Sequence, residues 1–133
     1  MRKTALLVAF VLSVTFFGAT AQDQKSFKDL IGKWNGTDQT GKNGGLEFAD
    51  STKVILSIAD TRMPPADYRA DFSKTPAWLD IILRENGQTR TLRCIIAFVS
   101  KDELNWAFAL TGPRAKKFGG DSTIIFIPLK RTQ

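Results

Sequence analysis

Histidine is absent from all 133 residues. Its absence removes the commonest general base and the commonest metal ligand together. Ser-His-Asp and Cys-His catalysis are excluded, and no imidazole and thiolate metal site can be assembled beside a single cysteine. That cysteine, Cys94, has no partner for an internal disulfide. It lies within the apolar run Leu92 to Val99 and reads as a buried, inert thiol. It is not placed to be the lipid-modified cysteine of a bacterial lipoprotein.

A strong charge imbalance is also lacking. The chain carries 19 basic and 13 acidic residues, and without Arg2 and Lys3 the balance is 17 against 13. Basic residues are scattered, and only Arg114, Lys116, Lys117 and the pair Lys130 and Arg131 approach a cluster. Nucleic-acid binding needs a concentrated stripe with stacking aromatics, so no nucleic-acid partner is expected. Gly41 to Gly45 lacks the G-x-x-x-x-G-K-[ST] spacing of a phosphate loop and reads as a hairpin connection. No internal repeat and no convincing long helix appear.

What is present begins at the N-terminus. Arg2 and Lys3 precede an uncharged apolar run from Ala5 to Phe17, and Ala19-Thr20-Ala21 supplies a small-x-small cleavage pattern. This is the layout of a secretory signal peptide, residues 1–21. The run is shorter than the roughly 20 apolar residues that span a bilayer, so a stable membrane anchor is not expected. The mature chain, residues 22–133, is the size of one domain, secreted or periplasmic.

Ser26 to Ile31 reads as one helical turn, with Ser26 as N-cap and Asp29 completing a capping box. Beyond it, short apolar segments alternate with turn residues. They predict strands at Lys33 to Asp38, Leu46 to Phe48, Lys53 to Ile58, Asp67 to Phe72, Ala77 to Arg84, Thr89 to Val99, Leu104 to Leu110 and Ser122 to Pro128. Eight short strands imply an all-β barrel or sandwich.

Asn86-Gly87 fits a type I′ two-residue hairpin, which sets Leu79 against Cys94, Ile81 against Leu92 and Asp80 against Arg93. The last pairing suggests a cross-strand ion pair for Asp80. For the next hairpin, a three-residue loop from Lys101 to Glu103 sets Trp106 against Phe98 and Phe108 against Ile96. That register gathers Cys94, Ile96, Phe98, Trp106, Phe108 and Leu110 on one face.

The opening Leu30-Ile31-Gly32-Lys33-Trp34 resembles the G-x-W entry of lipocalin-like β-barrels. Leu46-Glu47-Phe48, Tyr68, Asp71-Phe72-Ser73-Lys74-Thr75-Pro76, Leu79-Asp80 and Gly87 are similar to an uncharacterised family of exported bacterial proteins with that fold. The resemblance implies an antiparallel lipocalin-like barrel of about eight strands, with Trp34 closing one end. It implies no established activity.

The aromatic residues Trp34, Phe48, Phe72, Trp106, Phe108 and Phe126 either line a cavity or fill the core. Trp34, Phe72, Trp106 and Phe108 are the candidate contacts for a small apolar or amphiphilic ligand. Trp78 points the other way, either beneath the short helix or as a contact surface. Asp67 with Asp71, and Asp71 with Asp80, are conceivable acid and base pairs, but alternation sends Asp67, Arg69 and Asp71 to a solvated stripe. No catalytic residue, metal or cofactor is assigned.

The expectation is therefore an exported, non-catalytic binding protein. The competing expectation is an envelope module whose filled barrel contacts a protein or an anionic polymer through Gly112 to Gly120. N-terminal sequencing of the protein recovered from its own compartment is expected to begin at Gln22. A chain that retains Met1 would contradict the signal reading.

Overall fold

The computed structural model describes residues 25–132, so the expected signal segment, residues 1–21, lies outside the described residues. A single 3-10 turn (Phe27–Asp29) opens the described chain. Ser26 Oγ accepts the Lys28 N–H, while Asp29 Oδ2 accepts the Ser26 N–H, as the capping-box pattern required.

Nine strands follow: β1 (Gly32–Thr37), β2 (Asn43–Phe48), β3 (Lys53–Ile58), β4 (Thr61–Arg62), β5 (Ala66–Asp71), β6 (Ala77–Glu85), β7 (Gln88–Ser100), β8 (Glu103–Ala109) and β9 (Ile124–Thr132). Each long strand pairs antiparallel with its neighbours in sequence, and β1 pairs with β9 to close the ring. Two-residue β4 pairs only with β3 and stands outside the closure. The result is the expected eight-stranded antiparallel barrel, in simple up-and-down order.

Six of the eight predicted strands match closely in position. The second begins earlier than expected because Gly44 and Gly45 belong to β2, not to the preceding turn. Gly36 and Gly44 pair across β1 and β2. A Cβ on Gly44 would lie 2.6 Å from Ile127 Cδ1, and one on Gly36 would lie 1.9 Å from the Pro128 carbonyl oxygen. Two missing side chains thus let Ile127 of β9 pack directly on the strand backbone.

The last strand runs past Pro128 to Thr132, whereas the sequence reading stopped it at the proline. Pro128 presents its carbonyl toward β1, and its missing N–H faces the same way. The β1 ladder with β9 ends at Leu129, so no pairing is lost there.

The Asn86-Gly87 hairpin has the expected left-handed residues, with φ of 52° and 78°. Its register is the predicted one, Leu79 opposite Cys94 and Asp80 opposite Arg93. The next hairpin differs. Its loop has two residues, Lys101 and Asp102, and a bulge between Phe98 and Ser100 shifts the register.

Trp106 therefore faces Ile96 and Phe108 faces Cys94. The bulge restores the inward parity that a two-residue loop alone would reverse, so Cys94, Ile96, Phe98, Trp106 and Phe108 still share a face. Leu110, expected with them, lies beyond β8 and is exposed.

Inward residues from every barrel strand form one cluster that includes Trp34, Leu46, Phe48, Leu56, Tyr68, Leu79, Ile81, Cys94, Trp106 and Ile127. Trp34 and Trp106 have no exposed surface. Eight strands leave an interior just wide enough for side chains to fill, and these side chains fill it.

A second cluster lies on the outer wall. Ile95, Ala107 and Ile124 are covered there by Ala115 and Phe118 from the loop between β8 and β9. Phe126, read with the inward aromatics, belongs to this outer cluster, with its ring 5.7 Å from Phe118.

Phe108 is 4 % exposed and lies 5.2 Å from the Trp106 ring. Phe108→Ala is expected to cost about 3–5 kcal/mol, the usual penalty for emptying a packed aromatic site. Urea denaturation checks this as a fall in midpoint at constant slope.

Candidate functional site at the capped end of the barrel

The 3-10 turn caps the barrel end where β1 begins and β9 finishes. Trp34 donates its indole N–H to the Leu30 carbonyl at 2.7 Å. Above its ring, at 4.2 Å, lies the Arg131 guanidinium. Arg131 donates to the carbonyls of Ile31 and Asp29 and to Asp102 Oδ1, at 2.6, 2.9 and 2.9 Å. Gly32 is needed beneath it, since its φ is +126° and a Cβ there would meet Arg131 Nη1 at 2.9 Å.

The four candidate ligand residues do not share one cavity. Trp34, Trp106 and Phe108 belong to the filled interior, whereas Phe72 sits half-buried in the loop after β5. The Asp71 side chain bends that loop by accepting the Ser73 N–H and hydroxyl. Phe72 then stacks on Phe98, centroids 6.4 Å apart and planes within 24°, and Phe98 meets Trp34 edge-on at 6.1 Å.

Beside this aromatic series is a solvent-open groove of about 340 Å³. Its floor is Phe72, Pro76, Ala77, Ile96 and Phe98, and Lys25 and Lys74 stand at its edges. Lys25 Nζ is 5.2 Å from the Phe98 centroid, and Lys74 Nζ is 4.8 Å from that of Trp78. Both distances are within cation–π reach.

Sequence reasoning selected Phe72 but missed Phe98 as a site residue, together with Lys25, Lys74 and Arg131. Two signals were available: inward parity for Phe98, and the G-x-W entry, whose tryptophan needs a covering group, for Arg131. Nothing local marks Lys25, which reaches the groove only through the tertiary fold.

Trp78 is 39 % exposed on the outer wall. The short helix does not cover it; the Arg114 guanidinium does, at 4.2 Å from its centroid. Arg114 also donates to the Cys94 carbonyl and lies 2.8 Å from Asp80 Oδ1. Asp80 therefore pairs with Arg114 from the long loop, not with Arg93 across the strand. Its Oδ1 gains charge compensation but no well-directed hydrogen bond.

The remaining described aspartates are engaged in structure. Asp67 pairs with Lys53 and Arg84, and their hydrogen bonds hold its carboxyl below the usual range. Asp71 is lowered by its bonds to Ser73 and by the nearby Lys74. Asp38, Asp50 and Asp121 are lowered in the same way by the residue two positions on, Thr40, Thr52 and Thr123. Four D-x-[ST] turns thus shape loops at both ends of the barrel.

No family model, curated protein or solved structure matches this chain.

Burial raises the Cys94 thiol to about 12 from an ordinary 9.0. The folded state keeps the proton while the unfolded chain loses it near pH 9, so this group's stabilising effect is intact below pH 9 and lost progressively toward pH 12. Unfolding free energies measured across that range are expected to fall more steeply for the native sequence than for Cys94→Ala. Parallel curves would contradict the burial effect.

Proposed function

We propose that this chain is an exported, non-catalytic binding protein of the lipocalin-like type that holds a small amphiphilic molecule at the capped end of its barrel. The carrying observation is the apolar groove floored by Phe72 and Phe98, beside a barrel interior already occupied by side chains. Its volume falls at the lower end of the roughly 300–1,000 Å³ usual for ligand pockets. The signal-like N-terminus and the resemblance to exported lipocalin-like proteins support the same reading.

The filled interior also favours a second reading, an envelope module acting through its surface. Lys116 and Lys117 are exposed on the long loop and would meet an acidic protein or anionic polymer. Such binding would weaken as salt screens it.

Titration with the neutral fluorophore N-phenylnaphthylamine separates the two. The groove reading expects saturable binding at one site, weakened about tenfold or more by Phe72→Ala, in line with the value of burying a phenyl ring. Replacing Lys116 and Lys117 by Glu is expected to leave it unchanged. No saturable binding, or binding indifferent to Phe72→Ala, would overturn it in favour of the surface reading.

A further inference from the structure

The groove has a polarity that its apolar floor does not require. Two lysine side chains border it, from Lys25 before the 3-10 turn and from Lys74 in the loop between β5 and β6, and no carboxylate is among its lining residues. Neither lysine forms an ion pair with a described carboxylate. Asp71 is near enough to Lys74 to feel its charge, but its Oδ1 is already held by Ser73. Each ammonium is instead drawn over an aromatic face, Lys25 over Phe98 and Lys74 over Trp78.

This arrangement sets two exposed, positively charged side chains beside an apolar surface. A neutral apolar molecule uses only the floor. An ion without an apolar body would remain in water, because exposed lysines hold a small anion weakly. A molecule with both parts gains from each, its ring or chain against Phe72 and Phe98 and its anionic group within reach of the two exposed lysine side chains, Lys74 turning in from its place over Trp78.

We infer that the groove selects monomeric amphiphiles bearing a single anionic head, a carboxylate or sulfonate, with Lys25 and Lys74 as its head-group contacts. This inference rests on the groove reading of the preceding section and adds the chemical class of the ligand. It places the site at the barrel mouth beside the 3-10 turn, above the filled interior.

A matched pair of dyes tests it: N-phenylnaphthylamine and anilinonaphthalene sulfonate, which share an apolar skeleton and differ by the sulfonate. The purified native protein is expected to bind the sulfonate about tenfold more tightly at low salt, with one site. The difference should shrink toward zero as ionic strength approaches 1 M, where the screening length is about 3 Å. Lys25→Gln with Lys74→Gln should abolish the preference, and continued saturable binding of the neutral dye to that variant reports that the groove remains folded.

Equal affinity for the two dyes, or a sulfonate preference that survives both substitutions, would overturn the anionic selectivity and leave the groove reading standing. Failure of both dyes to bind would overturn both. Binding to phosphatidylglycerol vesicles that depends on Lys25 and Lys74, with no uptake of the monomeric dye, would assign the cations to a membrane surface and likewise overturn the inference.

Discussion

One guanidinium ties together the first and last strands of this barrel, whose pairing closes it. Arg131, near the end of the last strand, lies over Trp34 in the first strand and donates to the backbone of the 3-10 turn and to Asp102 in the β7 to β8 turn. Those partners are about thirty and about one hundred residues away along the chain. Arginine suits the position because its planar, always-charged fork both stacks and donates in several directions. Trp34 can then be fully buried, its N–H given to Leu30 and its ring covered on the side that would otherwise face water.

That latch also decides where a ligand could lie. With Trp34 sealed and Trp106 and Phe108 packed against the opposing strands, accessible apolar surface at this end is displaced outward to Phe72 and Phe98. The aromatic contacts run continuously from Arg131 through Trp34 and Phe98 to Phe72, so the groove floor is braced by the barrel core. The Asp71 to Ser73 turn fixes the last member of that series. Asp71 therefore serves the site by shaping its loop and remains ionised while doing so.

Much of the fold was legible because its local signals agree with one another. The Asn86-Gly87 turn fixed a nine-pair hairpin through chemistry contained in two residues. The Ser26 cap and the inward alternation of β5 and β6 were equally local. The bulge before Ser100 was not legible, because it has no residue signature of its own. Gly44 and Gly45 read as turn residues until the tertiary fold supplied the reason for their missing side chains, Ile127 of β9 against Gly44 and Asn35 with the Trp34 carbonyl of β1 against Gly45. The site followed the same rule: Phe72 was visible in sequence, whereas Lys25 comes to lie over Phe98 only through the tertiary fold.

The barrel wall is not equally strong around its circumference. Along β7, β8 and β9 it is packed on both faces, by the interior and by the loop carrying Ala115 and Phe118. Between β3 and β5 only two residue pairs, Lys53 with Asp67 and Val54 with Ala66, join the strands before Pro64 and Pro65 remove further donors. The barrel is thus a stiff plate bent round to a short seam. Sparse pairing lowers the cost of local opening, so the seam between β3 and β5 is where the closed ring opens at least cost.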